Sequence, residues 1–259
     1  MSNVIVCFKW VKTEDDLRID PATLAVDLSK AKGKISDYDR NAIEAARIAS
    51  EAAGGEAVAL TFGAGDAKTA LKDALSRGPK QAYWVNDASA ETADGFVTAN
   101  MLAAAIRKID NYTLVVCAEG AADTYAQQVG LRIGALLDLP VVSFVKEMKI
   151  EGNRLTAVRK LEDSLEEVEV ELPAVVTVLS EINPAPIPGL KAVLDGGKKP
   201  VTEFKVQDLE LEDGDTERKT EVVSFKGCSM SRKKVLINEG DAKEKVNALV
   251  AALKKEGVL

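Results

Sequence analysis

The sequence predicts an α/β protein: a mainly parallel β-sheet with helices on both faces, antiparallel edge strands and a C-terminal arm. Short apolar runs alternate with amphipathic helical patterns over residues 4–137, which is typical of β–α units with parallel strands. Apolar residues make up 46% of the chain but aromatic residues only 5%. The core must therefore consist mostly of Ala, Val, Leu and Ile, as in strands that are buried on both faces.

The β–α units can be placed in order along the first half of the chain. Apolar runs predict buried strands at residues 4–11, 56–62, 81–85 and 113–118. Helical periodicity predicts helices at residues 38–53, 66–77, 92–109 and 124–137. Residues 17–19 and 24–28 flank the turn sequence Asp-Pro-Ala-Thr and predict a small hairpin.

The second half of the chain is less regular. Extended segments are predicted at residues 141–150, 154–161 and 167–179, and Gly152-Asn153 predicts a turn between the first two. Alternating apolar and acidic residues at 168–172 indicate an antiparallel edge strand with one face in water. Residues 183–200 contain four prolines and three glycines, so we expect no regular element there.

This change of pattern predicts the domain organisation. We expect a globular α/β domain at residues 1–180, an exposed Pro-rich loop at 181–200 and a C-terminal arm at 201–259. Within the arm, residues 201–226 are acidic and weakly periodic, residues 231–237 predict a strand, and residues 242–256 predict an amphipathic helix.

The composition argues against several classes of protein. The formal net charge is −7, whereas nucleic-acid-binding proteins usually carry a basic face. The chain contains no histidine, so histidine-based triads, metal sites and general bases are excluded. Cys7, Cys117 and Cys228 form neither a CxxC pair nor a metal-ligand cluster. The N-terminal apolar run is too short for a signal peptide, and no segment is long enough to cross a membrane, so we expect a cytoplasmic protein.

Residues 115–130 carry the strongest indication of a binding site. A predicted strand ends in the small residues Ala118, Gly120, Ala121 and Ala122, and Asp123 or Thr124 is placed to cap the helix that follows. Small residues let backbone N–H groups approach a ligand, and the start of a helix favours a phosphate. Neither GxGxxG nor a P-loop motif is present, and a tight loop before a capped helix is an equally simple interpretation.

Three other segments are expected to converge on this loop, because the carboxyl ends of parallel strands meet at one edge of the sheet. Cys7, Phe8 and Lys9 follow the first strand, and residues 61–66 link the second strand to its helix. Ser36 and Asp39 have capping-box spacing before the first helix. Ser36 is expected either to cap that helix or to form a wall for adenine or ribose. Lys9 is expected either to counter a phosphate charge or to lie in water at the sheet edge.

Several stretches of the sequence resemble the beta subunit of electron-transfer flavoproteins, in the nitrogen-fixation-linked and acyl-CoA-reductase-linked branch. They lie in order over some two-thirds of the chain: VCFKWV at 6–11, KISDYDRNAIEAA at 34–46, LSRGP at 75–79, ADTYAQQVG at 122–130, LPAVVTV at 172–178 and INPAPIPGLKA at 182–192. The resemblance implies the α/β fold of the adenine-nucleotide hydrolase and universal-stress group. It also implies FAD, or AMP at the same site, in this subunit.

The same resemblance implies a set of cofactor-binding residues and no catalytic residue or metal ligand in this chain. The set comprises Cys7, Lys9, Ser36, Asp37, Tyr38, Asp39, Phe62, Ala64, Gly120, Ala121, Ala122, Asp123, Thr124, Gln127, Gln128, Val129 and Gly130. The sequence departs from the family pattern in two places. Ser36-Asp37 replaces the usual Asn-Pro pair, and Tyr125 adds bulk within the loop.

The resemblance further implies that the chain works with partners. Ile187 matches an apolar anchor for an acyl-CoA dehydrogenase or reductase, with Pro188 and Leu190 beside it, and Glu166 matches a contact to the alpha subunit. NADH is the expected electron donor, and ferredoxin or flavodoxin is a second acceptor if the complex bifurcates electrons. The alternatives are a non-bifurcating carrier with structural AMP, a universal-stress-like nucleotide sensor, and an ATP-dependent enzyme of the adenine-hydrolase fold, which lacks its signature loop after Val11 here.

Overall fold

The computed structural model describes residues 2–228 and 232–259. The chain forms two compact units. The first contains the residues up to Arg18 together with Asp27–Ser224, and the second contains Ile19–Val26 and Phe225–Leu259. Among the described residues, no helix combines the length and the apolar character needed to cross a membrane.

The described residues form thirteen strands and six α-helices. The strands are β1 Asn3–Cys7, β2 Trp10–Lys12, β3 Arg18–Ile19, β4 Val26–Asp27, β5 Gly33–Ile35, β6 Ala57–Gly63, β7 Gln81–Asn86, β8 Tyr112–Ala118, β9 Val141–Glu151, β10 Arg154–Lys160, β11 Leu165–Glu171, β12 Ala174–Val178 and β13 Val201–Phe204. The helices are α1 Asp37–Ala52, α2 Lys68–Ser76, α3 Gly95–Arg107, α4 Val129–Leu137, α5 Leu190–Gly196 and α6 Ala242–Lys255.

The main sheet of the first unit has nine strands within the described residues, in the order β11-β10-β9-β12-β8-β1-β6-β7-β13. In this spatial order, neighbouring strands from β9 to β13 pair in parallel. At the other end, β9, β10 and β11 pair antiparallel and extend the sheet to its edge. This architecture confirms the predicted α/β class. The parallel strands twist between helix layers, and their carboxyl ends meet at one edge of the sheet.

Alternation along β1 divides the core into two layers. Val4 and Val6 pack with α1 and α2 on one face, whereas Ile5 and Cys7 pack with α3 and α4 on the other. Because successive side chains of a strand point to opposite faces, both faces of the central strands are apolar and covered. The two helix layers therefore hold the strand ends in a fixed arrangement at the site described below.

Most predicted elements are confirmed to within a few residues, but the first predicted strand, at 4–11, is wrong at its end. It ends at Cys7, and residues 10–12 form the separate strand β2, which pairs with β5. The reason is a change of partner: the Phe8 N–H still donates to Leu60 O of β6, but the Lys9 N–H donates to the Asp39 carboxylate.

The predicted extended segment at 167–179 is two strands rather than one. Pro173 lies between β11 and β12 and lacks an N–H group to continue the ladder. As a result β11 is an antiparallel edge strand, as its alternation predicts, whereas β12 is a central parallel strand between β8 and β9.

The Pro-rich segment at 183–200 does contain a regular element, contrary to the prediction. Helix α5 begins after Gly189 and ends at Gly196, so the prolines 184, 186 and 188 all precede it and the glycines lie at its ends. Gly196 packs against α2, where an added Cβ would lie 2.8 Å from the Ser76 nitrogen. The prolines and glycines therefore mark the ends of this helix and do not exclude a helix between them.

Strand β13 lies within the segment predicted to be an arm, and it joins the main sheet beside β7. The Lys199 ammonium fixes its start by donating to the carbonyl oxygens of Leu75 and Pro79, at 2.6 and 2.7 Å. Residues 232–237 of the strand predicted at 231–237 are not a strand, and Ser231 lies outside the described residues.

In the second unit, helix α6 confirms the helix predicted at 242–256. It begins with a capping box in which Asp241 accepts from the Glu244 N–H and Glu244 accepts from the Asp241 N–H, both at 2.9 Å. None of its described side chains is buried in this chain. The predicted hairpin is also confirmed, because β3 and β4 pair as a two-stranded sheet.

Candidate functional site

A cavity of about 410 Å³ lies in the first unit, beyond the carboxyl ends of β1, β6 and β8. Cys7, Phe8 and Lys9 line it after β1, Phe62 lines it at the end of β6, and residues 117–121 line it at the end of β8. This is the position at which open parallel sheets bind ligands, and the volume is in the range of small-molecule sites.

The starts of α3 and α4 form the facing walls of the cavity. An added Cβ on Gly95 would lie 3.1 Å from the Gln128 Oε1 atom, so the two helix starts are close neighbours. Asp94 caps α3 by accepting from the N–H groups of Phe96 and Val97, at 3.1 and 3.0 Å. Among the described residues, no side chain caps α4, which begins at Val129. The first-turn N–H groups of α4 are therefore available to a ligand.

The loop between β8 and α4 corrects the predicted helix start. Neither Asp123 nor Thr124 caps a helix: residues 122–124 form a turn and the helix begins only at Val129. Tyr125 and Gln127 have positive φ angles of 46° and 56°, which interrupt the helix predicted at 124–137. The helix start is thus five residues later than the sequence predicts.

Three side-chain contacts hold this loop in place. Ser36 Oγ accepts from the Ala122 N–H at 3.1 Å, and the Lys9 ammonium lies 2.6 Å from the Asp123 carboxylate. The Tyr125 hydroxyl donates to the Glu119 carboxylate at 2.7 Å. The loop is therefore shaped by its neighbours, while most of its own side chains face outward.

The predicted capping box of Ser36 and Asp39 is wrong in its contacts. Ser36 occupies the N-cap position of α1, but among the described residues its side chain makes no capping hydrogen bond and serves the loop instead. Asp39 Oδ2 accepts from the Lys9 N–H at 2.8 Å, and the side chain is only 5% exposed. Burial raises the pKa of Asp39 to about 7, with a smaller contribution from Asp123; the N–H and the charge of Lys9 only partly oppose the rise.

Gly130 sets the position of α4 against the sheet. An added Cβ would lie 2.5 Å from Thr177 Cγ2 of β12 and 3.2 Å from the Cys117 Cβ of β8. Gly120 is similarly close to Tyr125, at 2.9 Å from its Cδ2 atom. These glycines are therefore needed for close packing, as the tight-loop interpretation of the sequence predicts.

Comparison with protein families identifies the group to which the chain belongs. The model of the electron transfer flavoprotein domain matches residues 23–209, well over half of the 259 residues. The chain belongs to the electron transfer flavoprotein family. Members of this family generally bind flavin and work with other electron-transfer proteins. The match includes the loop and helix start at the end of β8, whereas Lys9 and the cavity residues after 209 lie outside it.

The structure places the residues predicted to bind the flavoprotein cofactor in two groups. Eleven of them line the cavity: Cys7, Lys9, Asp39, Phe62, Gly120, Ala121, Thr124, Gln127, Gln128, Val129 and Gly130. The remaining six are absent from its lining: Ser36, Asp37, Tyr38, Ala64, Ala122 and Asp123.

The second group makes contacts outside the cavity lining. Asp37 forms ion pairs with Lys34 and Arg40, both at 2.7 Å. The Tyr38 ring lies 5.3 Å from the Tyr125 ring between centroids, and Ala64 precedes the 3₁₀ turn Gly65–Ala67. Ser36, Ala122 and Asp123 hold the loop through the contacts given above.

The residues predicted to bind partner proteins lie at the surface. Ile187 is 93% exposed and Leu190 76% exposed, and Pro188 between them is half-buried. Glu166 is exposed on the edge strand β11 and lies 3.5 Å from the Arg159 guanidinium.

Sequence reasoning missed one whole wall of the cavity. Its additional lining residues are Thr92, Ala93, Asp94, Gly95, Phe96, Thr98, Leu102, Arg132, Arg218, Lys219, Thr220 and Val222. Asp94-Gly95 before an apolar helical pattern is an N-cap signal that places the start of α3 correctly, three residues after the predicted one. Residues 218–222 carry no periodic pattern that would have indicated them.

The residues of the cavity fit a phosphate-bearing nucleotide. The uncapped start of α4, with Arg132 in its first turn, offers N–H donors and a positive charge to a phosphate. Phe62, Leu102, Val129 and the buried thiols of Cys7 and Cys117 give an apolar floor. Cys117 and burial together raise the pKa of the Cys7 thiol, so it is neutral at physiological pH.

Proposed function

We propose that this chain is the beta subunit of a two-subunit electron transfer flavoprotein and that its cavity holds an adenine nucleotide, FAD or AMP. One observation carries the proposal: the start of α4 opens, without a side-chain cap among the described residues, into a cavity at the carboxyl ends of parallel strands. Family membership supports flavin chemistry for the complex.

In this proposal the N–H groups of Val129 and Gly130 and the guanidinium of Arg132 bind the phosphate nearest to α4. The second carboxyl oxygen of Asp39 contacts the ribose or the adenine amino group, because Oδ2 is already used by the Lys9 N–H. FAD, when bound, supplies the redox chemistry. The chain positions the nucleotide and keeps water from its apolar side.

The surface features support a role within a complex. Ile187 lies between two prolines, and its side chain is exposed. Because the prolines restrict the backbone, docking this side chain on a partner costs little further conformational entropy. Helix α6 exposes Val246 and Leu249 and has no buried side chain among its described residues. We propose that the alpha subunit covers α6 and that Ile187, Pro188 and Leu190 contact an acyl-CoA dehydrogenase or reductase.

Electrons then pass from NADH toward that dehydrogenase, with ferredoxin or flavodoxin as a second acceptor in a bifurcating complex. The alternative within the family is a non-bifurcating carrier in which AMP fills the cavity. A universal-stress-like sensor is the other alternative. The grouped exposed side chains of Ile187, Leu190 and Leu194 favour a partner-binding subunit over a protein that works alone.

The test is to co-express the chain with an alpha subunit, purify the complex and quantify its nucleotides by chromatography and absorbance. Two FAD per heterodimer support the bifurcating form, and one FAD with one AMP supports the simple carrier. A pure heterodimer with no nucleotide beyond the flavin of the alpha subunit contradicts the proposed site. A chain that is stable and oligomeric by itself, with bound nucleotide, supports the sensor instead.

A further inference from the structure

Residues 218–222, called here the strap, form part of the cavity wall although they lie in an irregular segment. Arg218, Lys219, Thr220 and Val222 all line the cavity. The strap is exposed and pairs with no strand in the part of the chain that the structure describes. Its position therefore depends on side chains from elsewhere in the unit.

Asp94 supplies most of these contacts. Its Oδ2 atom accepts from the N–H groups of Lys219 and Thr220 at 2.8 and 3.0 Å, and from the Thr220 hydroxyl at 3.1 Å. Its Oδ1 atom caps α3 through Phe96 and Val97. The two oxygens of one carboxylate thus have separate roles, one within the helix and one on the strap.

Burial alone would raise the pKa of Asp94, but these hydrogen bonds outweigh it and lower the pKa to about 2. The carboxylate is therefore ionised at every pH at which the protein works. Hydrogen bonds to a charged group are about twice as strong as neutral ones, so the contact between Asp94 and the strap is a strong one.

The other strap contacts come from the same end of α3. The Arg218 guanidinium donates to Thr92 O at 3.4 Å, and the Lys219 ammonium lies 5.1 Å from the centre of the Phe96 ring. Earlier in the segment, the Asn100 amide donates to Asp215 O at 3.2 Å. Because these anchors are local and the strap belongs to no sheet, it can open without disturbing the core.

We propose that the strap is a movable wall of the nucleotide site, latched by Asp94, which closes over the bound nucleotide and brings Arg218 and Lys219 to its phosphates. This inference rests on the proposed function, since it needs a nucleotide in the cavity. Adenine nucleotides are anionic, and the charge of Lys9 is already matched by Asp123. The strap adds two cations, while the charge of Asp94 is satisfied by five donors.

The variant Asp94→Asn separates the two roles of this carboxylate. Asn is as good an N-cap as Asp, so its Oδ1 atom keeps α3 capped. Its amide nitrogen is a donor and cannot accept from Lys219 or Thr220. Asp87→Asn is the matched control, because Asp87 caps the 3₁₀ turn Ala88–Glu91 through the Ser89 N–H and is absent from the cavity lining.

Two measurements on the full chain, in complex with its partner, test the latch. In the first, trypsin cleavage after Arg218 and Lys219 is followed by mass spectrometry in the nucleotide-free protein. In the second, release of FAD or AMP, whichever the complex carries, is timed after dilution. Loss of one hydrogen bond to a charged group corresponds to about a tenfold effect, so Asp94→Asn should be cleaved and should release nucleotide about tenfold faster, or more. Asp87→Asn should behave like the wild type in both.

A second variant tests the cations themselves. Arg218→Gln with Lys219→Gln keeps the backbone N–H groups that Asp94 binds and removes both charges. It should release nucleotide faster than the wild type, and its release rate should respond less to added salt.

The outcomes distinguish the inference from the proposed function. A wild-type complex without nucleotide in this chain overturns both. A wild type that holds its nucleotide, with Asp94→Asn unchanged in cleavage and in release, overturns the strap alone. Faster cleavage without faster release also overturns it, because the strap would then be an ordinary surface segment.

Discussion

The N–H group of Lys9 donates a 2.8 Å hydrogen bond to the carboxylate of Asp39, which lies 30 positions further along the chain. This bond ends the first strand and ties α1 to the cavity floor. It also keeps a buried carboxyl group in the wall of the cavity. Its consequences are open to measurement.

The first prediction concerns pH and Asp39. The folded-state pKa of about 7 lies above the ordinary value of 3.8, so the folded chain binds the proton more tightly. The stability from this group is complete below about pH 4 and is lost as pH rises through 7. A shift of about three units corresponds to roughly 4 kcal/mol at most. Asp39→Asn should therefore unfold at a higher urea concentration than the wild type at pH 8, and this difference should be much smaller at pH 4.5.

Asp37→Asn is the control for this experiment, because Asp37 lies on the same helix but its side chain is 46% exposed. It should leave the pH dependence unchanged. If wild type and Asp39→Asn keep the same stability difference from pH 4.5 to pH 8, Asp39 does not titrate in this range and the account of its burial is wrong.

The second prediction concerns Arg132 at the start of α4. Arg132→Gln should weaken the binding of AMP about tenfold or more, because a charge-assisted contact to phosphate is worth about 1.5–3 kcal/mol. The remaining affinity should depend less on salt. Titration calorimetry at two salt concentrations measures both effects. Arg154→Gln, at a side chain that is 61% exposed on β10, should bind as the wild type does. Equal losses in the two variants would show a general charge effect instead.

The third prediction concerns the contact of Gly130 with Thr177. Gly130→Ala should lower the free energy of unfolding by about 1–3 kcal/mol, because its Cβ would overlap Thr177 Cγ2. Adding Thr177→Ser removes that methyl group but keeps the hydroxyl that accepts from the Phe144 N–H, so the double variant should recover part of the loss. Denaturant unfolding gives all three values. Gly65→Ala, where nothing lies within 4 Å, is the neutral control.

The absence of any recovery in the double variant would contradict this reading of Gly130. The cost of an alanine at position 130 would then come from the helix start itself rather than from its contact with β12.

The fourth prediction concerns Ile187. Ile187→Ser should not change the melting temperature, because the side chain is 93% exposed. It should weaken binding to the dehydrogenase partner by about 2 kcal/mol, roughly thirtyfold, if this side chain is the proposed apolar anchor. Surface plasmon resonance with the purified complex measures the change. Ile48→Ser, at another exposed isoleucine on α1, should bind normally, and normal binding by Ile187→Ser would remove the loop from the proposed interface.

The regular part of the fold could be predicted because its signals are local. Alternation of apolar strands with amphipathic helices fixes β1, β6, β7 and β8 and the helices between them, and the small residues after β8 mark the site. The start of α4 could not be predicted, since it depends on positive φ angles at Tyr125 and Gln127 that neither residue type indicates. Contacts with Ser36, Lys9 and Glu119, which are made only in the folded chain, hold this loop in place.

Other parts depend on contacts that are distant in sequence. Residues 190–196 were predicted to be a loop because prolines and glycines dominate the composition around them. The packing of helix α5 on α2 could not be predicted from the sequence. The strap has no periodic pattern, and its place in the cavity depends on contacts with Asp94, Thr92 and Phe96, which are distant in sequence. Features held by tertiary contacts alone are thus the ones that the sequence did not indicate.

The most direct test of the central claim is hydrogen exchange at the backbone amides of Val129, Gly130 and Leu131, with and without added AMP. These N–H groups start α4 and donate to no side-chain cap among the described residues, so they should exchange quickly in the nucleotide-free protein. On binding they should slow markedly, while amides on the edge strand β11 should not change. Unchanged exchange at all three amides, in protein shown to have bound AMP, would contradict the claim that the start of α4 holds the phosphate.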